Sequence, residues 1–105
     1  MIRHTVVFKL KYPEGSHEEA VFLEAAMKLM AITGAQQFEL LRQTSPKNDY
    51  DYGLSMEFQS SAAYQAYTEH SDHVNFVTTY WGVYVDKFLE IDYEPMSQIG
   101  RKARS

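Results

Sequence analysis

The chain has 105 residues, 45% of them hydrophobic and 14% aromatic, about the amount of sequence that builds one small domain. A formal net charge of −4 argues against nucleic acid as the principal partner, and the absence of cysteine excludes disulfides, thiolate catalysis and cysteine-ligated metals. Neither a signal peptide nor an apolar run long enough to cross a membrane is legible, so the expectation is a soluble, cytoplasmic protein with no membrane partner.

Ile2 to Lys11 alternates between apolar and polar residues and predicts a strand. A period of two places His4 on the same face as Val6, Phe8 and Leu10, where a histidine requires a hydrogen bond or a cavity. Tyr12-Pro13-Glu14-Gly15 reads as a turn, and Ser16 with Glu19 as a capping box. The helix that follows carries Val21, Ala25, Leu29 and Ile32 on one stripe, with Phe22, Ala26 and Met30 beside it, and Thr33-Gly34 ends it. Phe38 to Gln43 predicts a second, shorter strand with Phe38, Leu40 and Arg42 facing one way. The turn-rich Ser45 to Asp49 leads to a third strand, Tyr50 to Phe58, in which Tyr52, Leu54, Met56 and Phe58 share a face. The short connection makes these two strands a hairpin.

Ser60 or Ser61 suits the cap of a short helix running to about His70, and Ser71 the cap of the next, with Asp72 in its first turn. Val74, Val77, Trp81 and Tyr84 form the predicted apolar stripe, widened by Phe76 and Tyr80. Lys87 to Tyr93 predicts the last strand, with Leu89, Ile91 and Tyr93 on one face and Phe88, Glu90 and Asp92 on the other. Met96 to Ser105 is basic and aperiodic, so the expected organisation is a domain over 1–95 and a flexible tail over 96–105. The order β-α-β-β-α-β predicts an α+β protein: one four-stranded, mostly antiparallel sheet with helices on one face. The other face carries Val7, Leu41 and one side of the last strand, and a homodimer through the sheet faces is expected to cover it.

The stretch from Tyr64 to Phe76 holds two of the four histidines at a helix junction. Imidazole titrates near neutrality and phenol donates to a developing oxyanion, so an acid–base site is one reading. Core tyrosines beside solvated histidines is the other. His70-x-x-His73 has spacing that a divalent ion can use, but no further close ligand follows, and the expectation is no metal. No cofactor motif is present, and none is expected.

Together His4-Thr5-Val6-Val7-Phe8-Lys9-Leu10, Ser45-Pro46-Lys47-Asn48, Tyr52-Gly53-Leu54-Ser55-Met56-Glu57-Phe58 and Tyr67-Thr68-Glu69-His70-Ser71-Asp72-His73-Val74, closed by Phe88 to Tyr93, resemble the stress-responsive dimeric α/β-barrel (Dabb) domain family. The resemblance covers nearly the whole chain up to Pro95. It implies a ferredoxin-like protomer whose sheet pairs with its twin to close a dimeric barrel, helices outside, with a pocket between sheet and helices. In the family's olivetolic acid cyclase, a tyrosine and a histidine six residues apart assist an aldol condensation, and Tyr67 and His73 match them. His4 matches a histidine that reaches the same pocket. The family usually has His-Pro-x-His at this junction, whereas this chain has His70-Ser71-Asp72-His73.

If the His4 face is the one the helices cover, Val6, Phe8, Leu54, Met56, Phe58, Val74, Val77 and Trp81 wall an apolar chamber. His73 would take a proton alpha to a carbonyl, Tyr67 would hold the enolate oxygen, and His4 would bind or orient the substrate. The helix dipole favours a neutral His73, and Asp72 opposes it. Glu90 either orients a histidine or is solvated at the strand end. Three functions stay open: a cofactor-free cyclase or isomerase (lyase-like) acting on a small hydrophobic carbonyl ligand, a non-catalytic stress-response binding protein, and a cofactor-free monooxygenase.

Overall fold

A computed structural model describes residues 1–96, and the expected tail lies outside the described residues from position 97 onward. The first strand, β1 (Ile2–Leu10), buries Val6, Phe8 and Leu10, as its alternation requires. Helix α1 (His17–Met27) starts at Ser16, whose hydroxyl accepts the Glu19 N–H at 3.1 Å. Glu19 reaches back one residue further than a capping box would, accepting from Gly15 N–H at 2.9 Å. Its carboxylate is buried and also receives the Tyr52 hydroxyl, which ties α1 to the sheet.

The predicted stripe holds in part: Leu29 and Ile32 are buried beyond the end of α1, but within α1 Phe22 and Ala26 are buried while Val21 is only half-buried, and Met30 is 54% exposed. Phe22 offers the larger apolar area, so the helix turns that side to the sheet. A 3₁₀ turn, Lys28–Ala31, ends the helix before Gly34, which takes φ +98°.

Strands β2 (Gln36–Arg42) and β3 (Tyr52–Phe58) form the hairpin, with an irregularity between Gln36 and Glu39. Helix α2 (Ser61–Glu69) is capped by Ser60. Helix α3 (Ser71–Phe76) is capped by His70 and not by Ser71: the imidazole Nδ1 accepts the Asp72 N–H at 3.0 Å. The helix continues through a π turn, Val77–Trp81, and a last turn, Gly82–Tyr84, into β4 (Val85–Tyr93).

The sheet order is β2-β3-β1-β4, with every neighbouring pair antiparallel. With the helices on one face this is the ferredoxin-like fold that the α-β order predicts. Between sheet and helices, Phe8 lies 5.5 Å from Phe22 and 5.1 Å from Trp81 between ring centroids, and Phe22 lies 5.6 Å from Phe76. Full burial of each such side chain contributes roughly 1.5–3 kcal/mol. The predicted stripe of the last helix is corrected here: Val74 is 51% exposed and Phe76 is buried. The larger rings of Phe76, Tyr80, Trp81 and Tyr84 pack on the core and set the rotation of the helix.

Antiparallel register pairs His4 with Asp92, Val6 with Glu90 and Phe8 with Phe88, which puts these residues of β4 on the helix side. The opposite face presents Leu41, Leu89, Ile91 and Tyr93, all exposed. Among the described residues no helix is long and apolar enough to cross a membrane.

Candidate functional site

Between the sheet and the helices lies a cavity of about 280 Å³. Sheet residues His4 and Val6 of β1, Leu54 and Met56 of β3, and Phe88 and Glu90 of β4 form its floor. Leu29, Tyr67, His73, Phe76, Val77 and Trp81 form the helical wall. Three sequence-predicted lining residues lie elsewhere. Phe8 and Phe58 are fully buried in the core, and Val74 points away from the cavity to the surface. Leu29, Phe76 and Phe88 take their places; Leu29 and Phe76 belong to the apolar patterns of their helices, whereas Phe88 shares a strand face with Glu90 and Asp92, and only tertiary packing selects them.

Alternation of β1 brings His4 to the cavity, and the register with β4 supplies its partner. Its Nδ1–H donates to Asp92 Oδ1 at 2.7 Å, so a neutral ring carries its lone pair on Nε2. Tyr64 from α2 closes the cluster, with its hydroxyl 2.8 Å from the same Nδ1, 3.0 Å from Asp92 Oδ2 and 3.3 Å from Glu90 Oε1. Burial, then the hydrogen bond and charge of Asp92 and the charge of Glu90, hold the Tyr64 phenol well above its ordinary range, so it stays protonated. The histidine partner is thus Asp92 rather than Glu90, whose carboxylate is 3.9 Å from Nδ1. The Tyr64 ring stacks on Phe58 at 4.8 Å, as the core-tyrosine reading of the stretch requires, but its hydroxyl belongs to the His4 cluster.

On the helical side, the short junction at His70 swings α3 so that the rings of His73 and Tyr67 meet at 4.7 Å. His73 Nδ1–H donates to the Thr68 carbonyl at 3.0 Å, which leaves the lone pair of the neutral ring on Nε2. Burial lowers the His73 pKa below its usual 6.5, as does the nearby His4; the Thr68 bond and Glu90 push the other way. Desolvation is the leading cause of its neutrality. Asp72 does not oppose it, because its carboxylate is solvent-exposed and lies 3.9 Å from His70 Nδ1. Tyr67 is 2% exposed, and burial alone raises its phenol well above the ordinary range. A protonated phenol therefore sits beside a neutral imidazole.

Among the described residues, His4, Glu90 and Asp92 bring ligand-type atoms within 4.8 Å of one another, and a divalent ion would find them together. His70, the other half of the His-x-x-His spacing, caps a helix end and is not in this group.

A family model described as Stress responsive A/B Barrel Domain matches residues 2–95. A solved Dabb family protein with a ferredoxin-like fold from Mesorhizobium loti is 58% identical, covers 90% of this chain and 95% of its own, and superposes with a TM-score of 0.88. An Arabidopsis thaliana protein is 26% identical over 92% of this chain and 97% of its own, with a TM-score of 0.79. A hydroxynitrile lyase from Passiflora edulis shares the fold at 13% identity and a TM-score of 0.76, covering 88% of this chain and 90% of its own. No curated protein sequence matches the chain.

Proposed function

The chain belongs to the stress-responsive A/B barrel domain family, and from that premise we propose that its cavity binds a small hydrophobic carbonyl compound and performs cofactor-free acid–base chemistry on it. The single observation that supports this reading is the pairing of a protonated, buried phenol with a neutral imidazole at the wall of an apolar cavity. His73 Nε2 takes the proton alpha to the carbonyl. The C–H electron pair becomes the enolate, and the Tyr67 O–H donates to the developing oxyanion. His4, held by Asp92, orients the substrate from the sheet side. Return of the proton to a different carbon completes an isomerisation; attack of the enolate carbon on a second carbonyl of the ligand, with the proton passed to the new alkoxide, completes a cyclisation; and expulsion of a beta-oxygen that takes the proton completes a lyase-type cleavage.

The functional unit in this reading is a homodimer of the 1–95 domain that meets through the sheet faces. Support comes from the exposed Leu41, Leu89, Ile91 and Tyr93, and from solved structures of the same fold from Bacteroides fragilis and Thermobifida fusca that are described as dimeric.

Deuterium incorporation alpha to the carbonyl of benzylacetone in D₂O, followed by proton NMR, tests the chemistry. The wild-type protein is expected to accelerate exchange, and Tyr67→Phe to lower the rate about 10²–10⁴-fold while the fold is kept. Binding of the ketone without exchange would leave a non-catalytic binding protein and end the enzymatic reading.

A further inference from the structure

The acid–base reading leaves one titratable group of the cavity wall without a task. Glu90 lines the cavity, and its side chain is half-exposed. The donor it shares is the Tyr64 hydroxyl at 3.3 Å, whose single proton has a shorter path to Asp92 at 3.0 Å. Asp92 receives the His4 N–H as well. A carboxylate offers about four acceptor sites, so Asp92 is well supplied with donors and Glu90 keeps unused acceptor capacity at the cavity.

The rest of the wall offers an anion the Tyr67 hydroxyl but, among the described residues, no lysine or arginine charge. Arg3 sits at an odd position of β1, on the face away from the helices, and is paired with Glu57 at 2.5 Å. The half-buried His73 is held neutral by the partial loss of solvent around it.

We infer that Glu90 is a specificity-determining residue: it admits neutral or cationic ligands that carry an N–H or O–H donor, and it turns carboxylates away. The inference rests on the proposed use of this cavity as the ligand site. A ligand carboxylate would meet Glu90, with the Asp92 carboxylate close behind it on the strand and no lysine or arginine to offset them, whereas an ammonium or hydroxyl on the same skeleton would donate to the spare Glu90 oxygen.

Three probes that share an indole ring separate these cases: tryptamine, tryptophol and indolepropionate, titrated by calorimetry in mildly alkaline buffer. Movement of the Trp81 indole N–H resonance reports binding in the cavity, because Trp81 lines it. Tryptamine and tryptophol are expected to bind roughly tenfold more tightly than indolepropionate, the order of repulsion between like charges about 6 Å apart in a partly solvated site. Glu90→Gln is expected to close most of that gap. Glu94→Gln, which removes the same charge from an exposed position outside the cavity, is expected to preserve it. Equal binding of all three probes, or a charge preference unchanged in Glu90→Gln, overturns this inference and leaves the cavity as the ligand site. Failure of every probe to perturb Trp81 overturns both.

Discussion

Replacement of His73 by Gln separates chemistry from structure at the candidate site. The imidazole contributes one hydrogen bond to the fold, Nδ1–H to the Thr68 carbonyl at 3.0 Å, and a ring contact with Tyr67 at 4.7 Å. A hydrogen bond of this kind contributes about 0.5–1.5 kcal/mol. In a domain of this size each kcal/mol moves the melting temperature by about 4–8 °C, so a loss of roughly 2–12 °C is expected. Alpha-proton exchange should fall far more, by about 10²–10⁴-fold, since Gln cannot act as the base. The pH dependence adds a second readout. Because burial lowers the folded-state pKa below 6.5, the unfolded chain binds more protons than the folded one in the window just beneath that value. The stability due to the neutral ring is complete above 6.5 and is lost as pH falls through the lowered pKa. Melting curves taken from mildly alkaline to mildly acidic buffer should therefore decline more steeply for the wild type than for His73→Gln. Parallel curves would refute the neutral imidazole, and an unfolded variant at room temperature would make His73 a structural residue.

Two further outcomes rest on other parts of the molecule. Tyr52→Phe removes the hydroxyl that satisfies the buried Glu19 carboxylate and should destabilise the protein by about 1–3 kcal/mol in urea unfolding, with no change in secondary structure; a neutral effect would show that the pair does not hold α1 to β3. Charging the exposed sheet face with Leu89→Lys and Ile91→Lys together should convert a homodimer to folded monomers in sedimentation velocity. A dimer that survives both charges does not use this face.

Much of the fold is legible in the chain because strand alternation and capping are local. The β1 pattern puts Val6, Phe8 and Leu10 inside, and β3 does the same for Tyr52 through Phe58, without reference to any partner. Helix rotation is less legible. Val74 fits the predicted stripe, yet the larger rings of Phe76 and Trp81 claim the core and leave Val74 at the surface. The site divides in the same way. His4, Tyr67 and His73 are found by alternation and by resemblance to the family, and all three line the cavity. Asp92 and Tyr64 escape notice because their roles depend on the register of β4 against β1 and on the docking of α2, neither of which is written in a local period.

By itself, then, the sequence determines the element order, the inward faces of the strands and the residue types available for proton transfer, since each follows from spacing along one segment. Tertiary structure alone decides that His4 is held by Asp92, that burial keeps His73 neutral and Tyr67 protonated, and that Glu90 faces the cavity. The physical reason is that these properties arise from groups up to 88 residues apart, brought together only by strand register and helix docking.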